Sequence, residues 1–185
     1  VVHFYSATLV RIYSALDTGV FATKRFAEEV RISIRGSGLE RSFHQKGITG
    51  FQDGVPFGSA DGAGDFQEID TLALQRIEIY KGGNAMQFGS TTLGGSINMI
   101  QKTGHSNPGY QVRFETGSQD TFRGNYQIGK VFDSGSDLFV SLTGTTSDGF
   151  REHADQKNIK FNTNIGLKLS DQAETRFYFS ANHIK

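Results

Sequence analysis

The chain has 185 residues, enough for one domain with a substantial core or for two small ones. Its 19 basic and 19 acidic residues cancel, which removes the basic surface that nucleic-acid binding rests on, so no nucleic-acid partner is expected. Cysteine is absent, which excludes a disulfide framework and a thiolate zinc site. No apolar run approaches the roughly 18 residues of a membrane helix, while 16 Phe and 23 Gly against 2 Pro depart from ordinary globular usage. The start, VVHFYSATLVRIY, has no initiator Met and no charged segment ahead of an apolar block. No signal peptide is visible, and the chain is expected to begin partway into a longer gene product.

Residues 1–103 read as a small, irregular α+β unit. Leu9, Ile12, Tyr13 and Leu16 fall on one helical face, with Ser6 able to cap its start and Gly19 just past its end. RISIRG (31–36) and GITGFQDG (47–54) read as short strands that end in turns. Asp70 is placed to cap a short helix running to Leu74, ahead of the strand RIEIY (76–80). After KGG, Asn84 is expected to cap one turn, AMQF, before the strand SINMI (96–100). Five glycines crowd residues 76–100. Glycine has the most backbone freedom to lose on folding, so such a cluster predicts tight turns or backbone packed where no side chain fits.

Residues 104–185 change period. Five segments alternate apolar and polar residues: GYQVRFETG (109–117), TFRGNYQIGKVF (121–132), DLFVSLTGTT (137–146), NIKFNTNIGLKLS (158–170) and ETRFYFSAN (174–182). In the fourth, Ile159, Phe161, Thr163, Ile165, Leu167 and Leu169 alternate with Lys160, Asn162, Asn164, Gly166 and Lys168. The connections are GSQD, DSGSD, SDGFREHADQKN and SDQA. Ten-residue alternating strands fit two architectures. One is a water-soluble antiparallel sheet packed on its apolar face; the other is a transmembrane β-barrel with the apolar face toward lipid and the polar face toward the lumen. The Phe and Tyr content, with Lys, Arg and Asn on the polar face, leans toward the barrel.

ISIRGSG (32–38), FQDGVP (51–56) and IDTLALQRIEIYKGGNAMQFGSTTLGGSINMI (69–100), in that order, resemble the plug domain of TonB-dependent outer-membrane receptors. The resemblance is carried by Arg35-Gly36, Asp53-Gly54-Val55-Pro56, Arg76-Ile77-Glu78, Lys81-Gly82, Phe88-Gly89 and Gly94-Gly95-Ser96-Ile97-Asn98. Gly83 stands where the family usually has Pro, and residues 1–17 are only loosely similar. DGVPFGSADGAGDFQEID further resembles the iron-citrate/siderophore-type branch.

The resemblance implies an α+β plug over 1–103 and, over 104–185, the first five antiparallel strands of a transmembrane β-barrel of about 22 strands. It implies a protein of the Gram-negative outer membrane, in contact with its lipid, that takes up a scarce ligand actively. The ligand expected is a ferric siderophore or ferric citrate-type chelate. The TonB energy-coupling complex would engage an N-terminal segment, the TonB box, that this chain does not contain. Gly36, Gly54, Gly82, Gly89, Gly94 and Gly95 are expected to be structural. Arg35, Arg76 and Glu78 either face solvent by alternation or make charge-assisted plug–barrel contacts. Ligand contacts are expected on outward loops at 24–29 and 57–67, from Arg25, Phe57, Asp61, Asp65, Phe66 and Gln67. Short DSGSD and SDQA would be periplasmic turns and 147–158 an external loop.

Other chemistries find little support. GSTTLGGS lacks the Lys of a phosphate loop, and His3, His44, His105, His153 and His183 have no metal-ligand spacing. Asp61, Asp65, Glu68 and Asp70 do not follow the spacing of a calcium loop. No catalytic residue, metal or cofactor is expected. The rival from another class is a structural or adhesive outer-membrane β-barrel protein without transport.

Overall fold

The computed structural model describes residues 2–5, 19–24, 30–38, 47–58, 66–89, 92–149 and 153–185. The chain divides into two compact units, Val1–Gln101 and Lys102–Lys185.

The first unit contains β1 (Val2–Tyr5), β2 (Val20–Lys24), β3 (Val30–Ile34), β4 (Ile48–Gln52), β5 (Val55–Phe57), β6 (Leu74–Tyr80) and β7 (Gly95–Gln101). Five of these form one sheet in the order β1-β6-β7-β4-β5, and β2 and β3 pair separately. Among the described residues only the β4–β7 pairing is parallel; the DG turn at Asp53 and Gly54 folds β5 back antiparallel on β4. The two central strands explain why their sequences alternate. Ile77 and Ile79 stand opposite Met99 and Ile97, and these four join Val20, Ile34, Ile48 and Leu74 in the apolar core. The alternate positions, Arg76, Glu78 and Tyr80, stand opposite Ile100, Asn98 and Ser96 on the other face. Period-two patterning therefore builds a dry face and a polar face on one ladder.

The helical expectations need correction. The turn after Asp70 is a single 3-10 turn, Thr71–Ala73, in which the Asp70 carboxylate accepts from the Leu72 N–H at 3.1 Å. It stops one residue early because Leu74 is already paired with Gln101 in the β6–β7 ladder. Asn84 is not a cap: the 3-10 segment runs from Gly82 to Phe88, preceded by Lys81, which makes no side-chain capping bond. Gly82, at φ +60°, starts the turn two residues before Asn84. Gly19 sits in the turn that opens β2, with φ +85°. The helix expected around Leu9–Leu16 lies outside the described residues. Strands β1 and β2 were not legible in the sequence.

The second unit is a meander of β8 (Gly109–Gly117), β9 (Thr121–Val131), β10 (Asp137–Ser147), β11 (Gln156–Lys168) and β12 (Glu174–Ile184), antiparallel throughout and in chain order. Its register aligns the alternation of all five strands. Tyr126, Leu142, Phe161 and Ala181 occupy one row of one face; Gln127, Ser141, Asn162 and Ser180 occupy the next row, on the other. The exposures run opposite to those of a soluble sheet. Tyr110, Phe114, Ile159 and Phe177 are 79, 71, 57 and 58% exposed, whereas Gln127, Ser141, Asn158 and Asn164 are at most 2% exposed. A water-soluble sheet would bury the first set and solvate the second. The apolar-out, polar-in arrangement is that of strands in a lipid-embedded barrel.

Candidate functional site

The polar face of the β6–β7 ladder concentrates the charges singled out in the sequence. Glu78 is 7% exposed. Its Oε1 accepts from Arg76 Nε at 2.9 Å, and its Oε2 accepts from the Tyr80 hydroxyl at 2.9 Å and from Asn98 Nδ2 at 3.1 Å. Asn98 in turn accepts from the Gly54 N–H at 3.0 Å through its Oδ1. Next to it, Asp53 Oδ1 accepts from the Gln101 N–H at 3.1 Å, and the Asp53 N–H donates to the Met99 carbonyl at 3.0 Å. Three motifs far apart in sequence, DG, RIE and GGSIN, thus meet in one hydrogen-bonded cluster. Burial pushes the Glu78 carboxyl up, but the hydrogen bonds from Tyr80, Arg76 and Asn98 outweigh it and hold the group below the usual carboxylate range. Burial, with the Glu78 carboxylate alongside, pushes the Tyr80 phenol up.

Arg76 and Glu78 were expected either to face solvent or to reach beyond the plug; Glu78 is buried, and the two bond to each other. Asn98 and Tyr80 were missed as its partners. The i, i+2 spacing of Arg76, Glu78 and Tyr80 was the available signal, since it sets all three on one face of a strand. Arg35 is exposed, in a turn with φ +51°, and its N–H donates to the Gly19 carbonyl at 2.7 Å. The side chain runs along Gly19 and Gly82, where a Cβ would stand 3.4 and 3.6 Å from it.

Of the six glycines singled out, Gly36, Gly54, Gly82, Gly89 and Gly95 have φ of +89, +82, +60, +107 and +141°. Gly94 differs. A Cβ there would lie 2.4 Å from Ser37 Cβ and 2.6 Å from the Gly47 carbonyl oxygen, so space rather than conformation selects glycine. At Gly95 both apply, because a Cβ would also stand 2.8 Å from the Tyr80 carbonyl oxygen and from Ile34 Cδ1.

Among the residues expected to contact ligand, Arg25, Asp61 and Asp65 lie outside the described residues. Gln67 falls within the 3-10 turn Phe66–Glu68. Phe57 and Phe66 are brought together: their rings meet edge to face with centroids 5.3 Å apart, and both pack against the apolar core. Phe57 also covers Gly50, where a Cβ would come within 2.2 Å of the ring. These two aromatics stand at either end of residues 58–65 and hold its ends together.

The polar face of the second unit is internally bonded. Asn125 Nδ2 donates to Ser141 Oγ at 3.0 Å and to Thr143 Oγ1 at 2.7 Å, Arg123 Nε to Thr145 Oγ1 at 3.2 Å, and Ser180 Oγ to Asn162 Oδ1 at 2.9 Å. Hydroxyl and amide side chains bond to one another across strands on this face, while Gln156 Oε1 and both polar side-chain atoms of Asn158 are buried there without a partner.

A small mixed unit followed along the chain by an antiparallel meander with one apolar and one polar face has the element order of a globular domain leading into a transmembrane β-barrel. Residues 7–96 match the family described as the TonB-dependent Receptor Plug Domain. The chain is 28% identical over 110 residues to the vitamin B12 transporter BtuB of Vibrio vulnificus, a match covering 60% of this chain and 18% of that protein. In fold it is similar to the ferric yersiniabactin uptake receptor FyuA of Yersinia pestis, with a TM-score of 0.68 and 21% identity over 92% of this chain and 28% of that one. It is also similar to the siderophore receptor PirA of Acinetobacter baumannii, with a TM-score of 0.66 and 19% identity over 89% of this chain and 27% of that one. The chain therefore carries, over residues 7–96, a plug domain of the TonB-dependent receptor type. It spans less than a third of the length of each of these relatives.

Proposed function

We propose that this chain is the plug and the first five barrel strands of an outer-membrane receptor that imports a ferric chelate, of the siderophore or citrate type, at the expense of energy delivered through TonB. The observation that carries this reading is the inverted sheet, continuous in sequence with the plug. A structural or adhesive barrel needs the inverted sheet but has no use for a plug domain. The plug's polar cluster supports the reading as well. A buried, hydrogen-bonded carboxylate that ties three motifs together gives the domain a core that withstands rearrangement at its edges. Relatives are named for both vitamin B12 and siderophores. The chelate is favoured here by the likeness of residues 53–70 to the iron-citrate/siderophore-type branch.

In this reading residues 58–65 form an outward ligand-contact loop whose base is clamped by Phe57 and Phe66, with Asp61, Asp65 and Gln67 facing the chelate and Arg25 contributing from the loop at 24–29. Arg35 reaches toward barrel strands beyond this chain. Radiolabelled ferric citrate, a ferric hydroxamate and vitamin B12 are offered to cells whose only receptor is the full-length protein. Accumulation of an iron chelate that stops when the proton gradient is collapsed is expected, as is its loss on deleting residues 59–65 with assembly intact. Uptake of vitamin B12 alone overturns the chelate assignment, and energised uptake unaffected by the deletion overturns the loop assignment. A receptor that accumulates none of the three is not this transporter.

A further inference from the structure

The segment Lys102–Pro108, which leads into β8, is seated on the polar face of β9–β11 more tightly than a connecting loop requires. Lys102 Nζ donates to Gln127 Oε1 at 2.9 Å, and the Lys102 carbonyl accepts from Asn164 Nδ2 at 2.5 Å. The Gly104 N–H donates to Asp137 Oδ2 at 2.6 Å. Asp137, 1% exposed at the start of β10, is gripped from two strands away by Arg176, with NH2 to Oδ1 at 2.6 Å and NH1 to Oδ2 at 3.2 Å. Arg176 also donates to Asn164 Oδ1 at 2.9 Å and to Glu174 Oε1 at 2.5 Å. His105 Nε2 lies 3.8 Å from Asp137 Oδ1 and 3.3 Å from the Gly135 carbonyl oxygen.

The fork can reach across because the residue between the two partners is Gly166, in register with Asp137 on one side and Arg176 on the other. A Cβ at Gly166 would lie 2.2 Å from Asp137 Oδ1 and 2.4 Å from Arg176 NH2. Two more glycines make room for the segment itself. A Cβ on Gly104 would meet the Lys130 and Leu138 carbonyl oxygens at 2.4 and 2.7 Å, and one on Gly129 would meet the Asn107 carbonyl oxygen at 1.9 Å. None of the three has a left-handed φ, so each is glycine for space alone. The segment adds its own staple, with the Thr103 N–H donating to Ser106 Oγ at 2.8 Å and the Ser106 N–H to Thr103 Oγ1 at 3.0 Å.

We infer that Asp137 and Arg176, closed over Gly166, are positioning residues that anchor Lys102–Pro108 to the sheet. Tension applied to the plug then ends at Gln101 and does not peel β8 from β9. A paired, bidentate carboxylate–guanidinium contact holding a backbone N–H suits that load, because all of its bonds must be lost together. The functional meaning of the anchor rests on the transporter reading above; its mechanics do not.

The test holds the full-length receptor in a bilayer, pulls on its plug from the N-terminal side and records the length of chain released. The wild type is expected to release chain up to residue 101 and stop. Arg176→Lys keeps the charge but loses the fork, and Gly104→Ala drives a Cβ into two carbonyls. Each is expected to lengthen the final release by the seven residues of Lys102–Pro108, about 24 Å at full extension. Equal release in all three proteins, or release of 102–108 along with the plug in the wild type, overturns the anchor. Where a variant does not assemble, hydrogen exchange at the wild-type Gly104 amide decides. Exchange as slow as in the β9–β10 ladder supports the anchor, and exchange at loop rates overturns it. Because pulling needs no ligand, a wild-type stop at residue 101 without ferric-chelate uptake leaves the anchor standing and removes the transport reading instead.

Discussion

Asn98 does the work of two residues. Its amide donates to Glu78 and accepts from the Gly54 N–H, so it joins the β6–β7 ladder to the turn between β4 and β5. Asn98→Ala removes both bonds, one of them to the buried Glu78 carboxylate, which keeps Arg76 and Tyr80, a loss of about 1–3 kcal/mol. The same change has a signed effect in acid. The Glu78 carboxyl is depressed in the folded state. Its stabilising contribution is therefore complete above the unfolded carboxylate value, near ~4.3, and is lost as pH falls through the lower folded value. Removing one of the donors that depress it moves that loss to higher pH. Urea unfolding of the full-length receptor at neutral pH, repeated across about pH 3–5, is expected to show the variant weaker throughout and failing earlier in acid. Equal acid midpoints for variant and wild type would contradict this role for Asn98.

At the scale of elements, the glycine-rich connection between β6 and β7 is where local conformation and packing are most tightly coupled. Gly95 opens β7 at φ +141°, against the Tyr80 carbonyl and Ile34. Gly95→Val is expected to abolish folded receptor in the membrane, whereas Gly83→Val, at a position with open space and an ordinary φ, is expected to leave it near wild-type level. Heat-modifiable mobility of membrane-extracted protein reads both, and folded Gly95→Val receptor at normal abundance would contradict the packing argument. The strands of the second unit were legible to within two residues at each end, because five segments repeat one period with turn residues between them; β11 starts at Gln156, inside the segment read as the loop 147–158. In the first unit legibility followed the same rule. RIEIY and SINMI alternate and were read as strands; β1 has four residues and no alternation long enough to register. The turns after Asp70 and Lys81 were read as helical, but their 3-10 form and bounds were not, since they are set by where Leu74 enters the ladder and where Gly82 allows the chain to turn. The candidate site was half legible. Arg76 and Glu78 stood out as charges in apolar strands, but their mutual pairing and the role of Asn98 depend on cross-strand register, which one sequence does not display. Phe57 and Phe66 stood out as loop aromatics, while their contact with each other is a tertiary one that one sequence does not display.

At the scale of the whole molecule, a sheet that buries Asn, Gln, Ser and Thr and exposes Phe, Tyr, Leu and Ile is stable only where the surroundings of its apolar face are themselves apolar. The hydrophobic effect disfavours that face in water and is silent about it in hydrocarbon. The absence of cysteine from these 185 residues makes the claim directly measurable, because single cysteines can be placed along β11 without removing any of its own. Nitroxides attached in turn at positions 159–165 of the full-length receptor in bilayers would be probed for collisions with oxygen, which concentrates in lipid, and with a water-soluble paramagnet. The account predicts a period of two, with oxygen contact high at Ile159, Phe161, Thr163 and Ile165 and low at Lys160, Asn162 and Asn164. Uniform water contact at all seven positions, or oxygen contact at the even ones, would contradict it.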